Sequence, residues 1–176
     1  MPFRRRKTYD ESALYEYAVG ALARRARSVA ELKRLLRQRL PAGEASEAMV
    51  EAVTARLKDQ KYLNDSAYAA AYSSYRKENQ RFGRLRVVSD LKARGVHGDV
   101  ISKAVATTYA GADEEGLARQ YLRRKRLKKP ADAKDAARIF RTLMRAGYTS
   151  RIIIRILKHW DVDDEVLTAL ESEANS

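Results

Sequence analysis

Apolar residues recur along this chain with the spacing of one face of a helix. Near the C-terminus one such stripe stands at positions i, i+3, i+4 and i+7, made of Ile153, Ile156, Leu157 and Trp160. This periodicity is typical of an amphipathic α-helix and outweighs the β-propensity of the isoleucine run around Ile153. Only three prolines and eight glycines interrupt the 176 residues. The pattern therefore predicts an all-α protein whose helices are about a dozen residues long and joined by short turns.

Capping residues predict where several of these helices begin and end. Helix starts are expected at Ser28, which matches a capping box, at Asn64 or Asp65, and at Asp113. Side chains of these types accept hydrogen bonds from the free amides of a first helical turn. Gly95 and Gly147 stand where a helix would end in a left-handed residue, which glycine adopts without steric cost.

The chain also repeats itself. Segment 90–105 resembles segment 142–157 at an offset of 52 residues, with Leu91 aligned to Leu143, Gly95 to Gly147 and Ile101 to Ile153. Helical stretches upstream complete three helices in each copy. A looser copy near the N-terminus carries Arg39 in place of the glycine. We therefore predict three tandem units of three helices, which stack into an elongated, curved helical array.

The predicted organisation has five parts. A basic, mobile N-terminal arm is expected at 1–10, followed by three-helix units at 11–63, 64–111 and 112–162. A short last helix at 165–170 and an acidic tail are expected within 163–176. A monomer is expected, because a repeat array buries its own interfaces.

Composition adds a strong charge. The formal net charge is +13 and the isoelectric point is near 10.1. Such a surface attracts nucleic acid, acidic proteins or anionic membranes, and its spread along the whole chain favours an extended partner. There is no cysteine, and His97 and His159 show no metal-ligand spacing. With no apolar run long enough to cross a bilayer and no signal peptide, a cytoplasmic protein without a cofactor is expected.

No catalytic motif is present. The chain lacks a P-loop, a GxGxxG nucleotide motif, HExxH and GxSxG. The glycine of RFGRLR, Gly83, lacks the further glycines and the Lys-Ser/Thr pair of a phosphate loop. Asp161, Asp163 and Asp164 lie beside a predicted helix start, where the helix dipole stabilises carboxylates. We therefore do not expect an enzyme.

Basic residues recur at equivalent places instead. The run YLRRKRLKK at 121–129 holds six basic residues in nine positions. Two further stripes at helical spacing are Arg138, Arg141, Arg145 and Arg151, Arg155, Lys158. This recurrence predicts a continuous basic track. A tyrosine stripe at helical spacing, Tyr68, Tyr72 and Tyr75, is expected to pack between helices rather than to stack on bases.

The chain resembles the RecX family of bacterial recombination regulators. The matching strings are ALARRARSVAELKRLL, KYLNDSAYAAAYSSYR, GRLRVVSDLKARGV and RTLMRAGYTSRIIIRIL, which span most of 18–160 in the family's order. Two positions depart from the family pattern, since Asn64 replaces the usual Asp and Arg39 replaces the usual glycine. Either side chain at position 64 can cap a helix.

The resemblance implies a non-catalytic protein that binds the RecA recombinase, chiefly its filament on single-stranded DNA. Such a protein would lie in the helical groove of the filament and repress its ATPase, strand-exchange and coprotease activities. The basic faces of the second and third units are the expected contacts, and Leu91, Gly95, Leu143 and Gly147 are assigned to architecture. The contact pool is Arg84, Arg86, Lys92, Arg94, Arg123, Arg124, Arg126, Arg138, Arg141, Arg145, Arg151, Arg155 and Lys158.

A second hypothesis is a nucleic-acid-binding helical protein that acts without RecA, its helix pairs serving as helix-turn-helix units. The basic helices support it. Against it, the turn between second and third helices recurs in every unit, as packing requires, and basic residues are not confined to one recognition helix. Weak, sequence-independent DNA binding is compatible with both hypotheses.

Overall fold

Ten α-helices account for most of residues 9–174. The computed structural model describes residues 9–174, so the predicted N-terminal arm lies, apart from its last two residues, outside the described part. The helices are α1 (Glu11–Arg24), α2 (Val29–Arg37), α3 (Glu44–Asp59), α4 (Asp65–Gln80), α5 (Arg84–Ala93), α6 (Gly98–Tyr109), α7 (Glu114–Arg124), α8 (Ala133–Arg145), α9 (Ser150–His159) and α10 (Asp164–Ala174). No strand occurs between residues 9 and 174, and the prediction of an all-α protein is confirmed.

The predicted capping residues act as caps. Ser28 begins α2 with a complete capping box, and the side chains of Asn64 and Asp113 accept amide hydrogen bonds at the starts of α4 and α7. Gly95 and Gly147 have φ angles of +72° and +95°, as expected for left-handed residues after a helix. These turns are therefore fixed by local chemistry before any packing is considered.

Consecutive helices pack in threes. The groups are α1–α3, α4–α6 and α7–α9, and α10 packs on α8 and α9. The predicted tandem three-helix repeat is thus confirmed, and the helix groups are called units 1, 2 and 3 below. Their boundary residues stay a prediction. The accessible surface is 11480 Å², against about 8,700 Å² for a compact monomer of this mass, as an elongated array requires.

The apolar side chains form two separate cores. One belongs to unit 1 alone and includes Leu14, Leu32 and Val53. The other runs without a break through units 2 and 3 to α10, from Ala69 to Leu170. Units 2 and 3 are therefore fused by a common core, whereas unit 1 joins unit 2 by other means.

Backbone groups join unit 2 to unit 3. The Gly83 amide donates to the Ala146 carbonyl at 2.8 Å, and the Leu85 amide donates to the Gly147 carbonyl at 3.2 Å. A Cβ atom on Gly83 would lie 2.2 Å from the Gly147 oxygen. Only glycine permits this approach of two backbones.

Two buried tyrosines hold the α4–α5 loop at the same place. Tyr148 donates to the Arg81 carbonyl, and Tyr109 donates to the Phe82 carbonyl at 2.7 Å. Burial raises the pKa of both phenols, so they stay protonated donors over the physiological range. The loop is thereby fixed although Arg81 takes a left-handed φ of 57°.

Polar side chains join unit 1 to unit 2. The Ser28 hydroxyl donates to the Arg94 carbonyl at 2.6 Å. The Val29 amide, free at the start of α2, donates to Asp65 at 2.8 Å. The Glu31 carboxylate, whose side chain is 11% exposed, pairs with the Arg94 guanidinium at 2.8 Å. This junction therefore depends on hydrogen bonds and an ion pair.

Some elements differ in extent from the sequence-based expectation. Helix α3 begins at Glu44, directly after the turn at 41–43. Helix α10 continues to Ala174, so residues expected in the acidic tail are helical. Tyr75 is 54% exposed and does not pack as predicted, whereas Tyr68 and Tyr72 do pack on the core. The stripe turns away from the core at its third member.

Candidate interaction surface

The contact pool predicted from the sequence lies at the surface. Twelve of its thirteen residues are exposed, and Arg94 is half-buried. The Arg94 guanidinium lies 4.8 Å from the centre of the Tyr72 ring and pairs with Glu31. Arg94 therefore helps to hold units 1 and 2 together, a structural role that the sequence did not suggest.

Many of these cations already have carboxylate partners. The pairs are Arg84–Glu114, Arg86–Asp90, Arg94–Glu31, Arg138–Asp135, Arg141–Glu173, Arg155–Glu115 and Lys158–Asp164, with N–O distances of 2.8–3.5 Å. Three of these pairs have both members exposed and contribute about 0–1 kcal/mol each, namely Arg138–Asp135, Arg141–Glu173 and Lys158–Asp164. A partner's anions can therefore replace these three carboxylates at small cost, but the basic track is not continuous in the free protein.

The α9 stripe illustrates this partial neutralisation. Glu115 accepts hydrogen bonds from Arg119 at 2.8 Å and from Arg155 at 3.4 Å. The hydrogen bond from Arg119 lowers the pKa of Glu115, so this carboxylate stays ionised and keeps Arg155 engaged. Arg151 forms no ion pair within residues 9–174 and is the open end of the stripe.

Six pool residues have no carboxylate partner in the described part of the chain. They are Lys92, Arg123, Arg124, Arg126, Arg145 and Arg151. Three of the six, Arg123, Arg124 and Arg126, lie within four residues where α7 ends. Unpaired positive charge is therefore most concentrated there.

The chain is locally built to expose this cluster. Helix α7 ends at Arg124 with Lys125 as its C-cap. Arg126 takes a left-handed φ of 55°, and the Leu127 amide donates to the Leu122 carbonyl at 2.9 Å. Leu127 packs on the core while its neighbours face solvent. The helix dipole also stabilises cations at a helix C-terminus. We call the exposed cations of this turn the α7 ridge, comprising Arg123, Arg124, Lys125, Arg126 and Lys128.

A concave site adjoins the ridge. It lies between α5, α7 and α8 where units 2 and 3 meet, and encloses about 360 Å³. We call it the junction pocket; its lining residues are Phe82, Arg86, Tyr121, Lys125, Leu127, Thr142 and Arg145. The sequence placed Arg86 and Arg145 in the contact pool. It gave no reason to combine them with Lys125, whose only signal was membership of the run 121–129.

Other kinds of site find little support in the described residues. They hold no cluster of side chains suited to a metal ion. Asp161 instead pairs with Lys129 at 3.0 Å, and Asp164 begins α10. A search of the described helices for one that could span a membrane finds none.

Comparisons with known proteins point in one direction. Residues 64–105 match the family model described as RecX, second three-helix domain. The protein named Regulatory protein RecX of Pseudomonas fluorescens is 33% identical over 153 residues, covering 86% of this chain and 94% of its own length. That of Leptothrix cholodnii is 34% identical over 141 residues, covering 80% and 85%.

Solved structures show the same fold. The crystal structure of RecX from Lactobacillus salivarius superposes with a TM-score of 0.67 at 19% sequence identity, over 86% of this chain and 96% of that one. A second RecX crystal structure gives a TM-score of 0.66 at 20% identity. At this identity the structures establish the helical architecture alone.

Proposed function

This chain belongs to the RecX family of regulatory proteins, and from that premise we propose that it is a non-catalytic negative regulator of RecA. It binds the RecA filament on single-stranded DNA along the helical groove and inhibits ATPase, strand exchange and coprotease activity. It acts in the cytoplasm as a monomer, needs no cofactor, and uses cations of units 2 and 3 as contacts.

The observation that carries this proposal is the α7 ridge. It presents five cations within six residues, none of them paired with a carboxylate in the described chain. A nucleoprotein filament offers DNA phosphates and acidic protein surface, both of which such a ridge attracts. The net charge of +13 provides the long-range attraction. Binding should weaken as salt rises, because exposed charges are screened beyond about 8 Å at physiological ionic strength.

The fold supports an extended contact. Units 2 and 3 share one core, so the α7 ridge and the α8 and α9 stripes are held on a single body. Their predicted partner is long and periodic, and a rigid array can meet it at several places without ordering costs at each. Unit 1, with its separate core, adds length to the same array.

The decisive experiment is a titration of RecA's single-strand-dependent ATPase with this protein, the DNA being saturated by RecA. Inhibition is expected at concentrations too low to coat bare DNA, with binding to bare DNA measured in the same buffer. Inhibition that only follows competition for naked DNA, or its absence, would overturn the proposal.

Charge reversal locates the contact. The first test variant replaces Arg123, Arg124 and Arg126 of the α7 ridge with Glu. The second replaces Arg151, Arg155 and Lys158 of α9 with Glu. A matched control reverses Arg34, Lys58 and Lys61 of unit 1, which are exposed and form no ion pair in the described chain. Both test variants should inhibit RecA more weakly than the wild type while keeping its helical content. The control should inhibit RecA as strongly as the wild type.

The RecA-independent hypothesis has one observation in its favour, the unpaired Arg151 in the first turn of α9. The corresponding turn of α6 carries Asp99, so the two helix pairs do not share a DNA-facing chemistry. Tight sequence-specific binding to DNA without RecA would favour this second function.

A further inference from the structure

The junction pocket brings three cations together without a carboxylate in its lining. Arg86 comes from α5, Lys125 from the end of α7 and Arg145 from the end of α8. Two other cavities include acidic side chains, Asp161 in one and Glu47 in the other. A concave site with this electrostatic character attracts anions.

Two of these cations have no charge partner. Lys125 and Arg145 form no ion pair within residues 9–174. Lys125 lies 5.8 Å from the centre of the Tyr121 ring, which offers only a weak attraction. Both cations are therefore free to receive an anion with no internal bond to break.

The third cation is held in position. Arg86 donates to Asp90 at 3.0 Å and to the Arg145 carbonyl at 3.3 Å, across the junction of units 2 and 3. The Gly83–Ala146 backbone bond fixes the spacing of the same two helices. The pocket walls thus exist before a ligand arrives, which lowers the entropic cost of binding.

Part of the pocket lining is apolar. It consists of Phe82, Tyr121 and Leu127, called the apolar floor below, and the Phe82 and Tyr121 ring centres are 5.9 Å apart. Tyr121 is only 7% exposed, so it offers no open face on which a base could stack. An anion with an attached apolar or ring-shaped body fits this combination of floor and rim.

We propose that the junction pocket binds one nucleotide unit of single-stranded DNA, with its phosphate between Lys125, Arg86 and Arg145. The sugar and base rest against the apolar floor, and neighbouring phosphates lie along the α7 ridge. The volume of about 360 Å³ is at the lower end of ligand pockets, which span about 300–1,000 Å³. One nucleotide unit, rather than a longer stretch, is the occupant of that size.

The ridge is what favours a strand over an isolated carboxylate. Lys125 belongs to both the pocket and the α7 ridge. A strand whose phosphate lies in the pocket can therefore place its next phosphates beside Arg124 and Arg126. A chain of regularly spaced phosphates satisfies both places at once, whereas a single acidic side chain satisfies one. This proposal adds a binding site to the function proposed above. It rests on that function only for the identity of the bound strand.

The test measures binding of a fluorescent 20-residue oligothymidylate to the full chain by anisotropy, without RecA, across a salt series. The pocket variant is Lys125→Gln with Arg145→Gln. The control is Lys103→Gln with Lys134→Gln, which removes the same charge from exposed residues outside the pocket and the ridge.

Each lost phosphate contact lowers the slope of log affinity against log salt by about 0.7 on single strands. Because one phosphate is held in the pocket, the pocket variant should therefore lose about 0.7 in slope and bind about 5-fold more weakly at 0.1 M salt. The control should keep the wild-type slope. Equal losses in both variants would mean that only net charge matters, and would overturn the pocket.

A filling variant separates the cavity from its charges. Thr142→Phe keeps every cation but occupies the cavity, and Thr142→Ala removes the hydroxyl while leaving the cavity open. We expect the phenylalanine variant to lose slope like the double glutamine variant, and the alanine variant to bind normally. Normal binding by a folded Thr142→Phe protein, verified by its circular dichroism and thermal midpoint, would overturn the proposal.

Two competitors decide the source of the anion. Thymidine monophosphate should displace the oligonucleotide only at far higher concentration; displacement at equal concentration would assign the pocket to free nucleotides and overturn the strand. If the pocket variant weakened the binding of polyglutamate but not that of the oligonucleotide, the pocket would be assigned to an acidic peptide. Because RecA is absent, these results are independent of the ATPase titration, which alone decides the proposed function.

Discussion

The two junctions between units use the same geometry with different chemistry. In both, the residue that begins the second helix of one unit donates a hydrogen bond to the carbonyl that ends the second helix of the next. Between units 2 and 3 the donor is the Gly83 backbone amide and the acceptor is Ala146. Between units 1 and 2 the donor is the Ser28 hydroxyl and the acceptor is Arg94.

The surroundings of these equivalent bonds decide how strongly the units are joined. The junction of units 2 and 3 lies over a continuous apolar core, and two buried tyrosines close it. The junction of units 1 and 2 separates two cores and is held by Glu31, Arg94 and Asp65. Apolar burial is the dominant favourable contribution to folding, whereas a polar contact replaces hydrogen bonds to water and has a small net contribution. The comparison indicates a rigid pair of units with a more easily opened first unit.

The repeated glycine is explained by the same comparison. Gly147 lies against the backbone of Gly83 and Arg86, and a Cβ on Gly95 would lie 2.5 Å from the Ala30 Cβ. In both units the glycine thus contacts the preceding unit. At the equivalent position of unit 1, the Arg39 guanidinium lies 4.8 Å from the ring centre of Tyr17 in its own unit, where no close approach requires a glycine.

The largest effect is expected from Gly147→Ala. Its φ of +95° strains any other residue, and the new Cβ would lie 2.3 Å from the Arg86 amide nitrogen, a backbone atom that cannot turn away. We expect the free energy of unfolding of units 2 and 3 to fall by about 2–4 kcal/mol in urea titrations.

The matched control is Gly20→Ala in the middle of α1. Apart from the neighbouring residues and backbone of its own helix, nothing lies within 4 Å of the new Cβ. Alanine is also the better helix former, so a gain of up to about 1 kcal/mol is expected. If Gly147→Ala were as harmless as Gly20→Ala, the close approach of the two backbones would not be a feature of the folded protein.

A smaller and more local effect is expected from Ser28→Ala. The change removes the N-cap of α2 and the hydroxyl that donates to Arg94, at a cost of about 1–2 kcal/mol. Hydrogen exchange followed by mass spectrometry should show faster exchange in α1–α3 and unchanged protection in α5 and α8. Equal acceleration in all three units would mean that the first unit does not open separately.

Acid should weaken the contacts around α5 through Asp90. Burial alone would raise the pKa of this carboxyl, but hydrogen bonds from Arg76 and Tyr72 and the charges of Arg76 and Arg86 outweigh it, so the pKa lies below the ordinary value of 3.8. A lowered folded-state pKa gives stability that is present above pH 3.8 and is lost as the pH falls through the folded-state value.

The test of this linkage is Asp90→Asn. At neutral pH it should cost about 1 kcal/mol, because it removes the charge that Arg76 and Arg86 bind. Its urea midpoint should then fall less than that of the wild type between pH 5 and pH 2.5. Parallel midpoint curves for both proteins would show that Asp90 has the same pKa in the folded and unfolded chain.

The smallest effect is expected from Glu47→Gln. Glu47 and Arg37 pair at 2.9 Å on the surface of unit 1, away from both junctions. Solvent screens such a pair, so no measurable change in thermal midpoint is expected. A loss comparable to that of Ser28→Ala would remove the distinction between junction contacts and ordinary surface pairs.

Much of the architecture follows from local pattern. The helical periodicity, the caps at Ser28, Asn64 and Asp113, and the positive φ of Gly95 and Gly147 were all predictable, because each depends on residues within a few positions. The end of α10 and the exposure of Tyr75 were not, because both depend on which neighbouring helix covers a face.

The candidate site divides in the same way. The α7 ridge is visible in the sequence, since its five cations lie within six residues. Whether a cation is paired is not visible, because its carboxylate can come from a distant segment, as Glu31 does for Arg94 and Glu173 for Arg141. The junction pocket likewise needs α5, α7 and α8 to meet before it exists.

By itself, then, the sequence determined the helices, their turns, the repetition and the total charge of this RecX-family chain, since short-range spacing and composition suffice for these. Only the tertiary structure decided that units 2 and 3 share a core while unit 1 keeps its own. The equivalence of Gly83 and Ser28 across the two junctions also appears only there. Contacts between segments far apart in the chain are set by packing, and packing depends on all the faces at once.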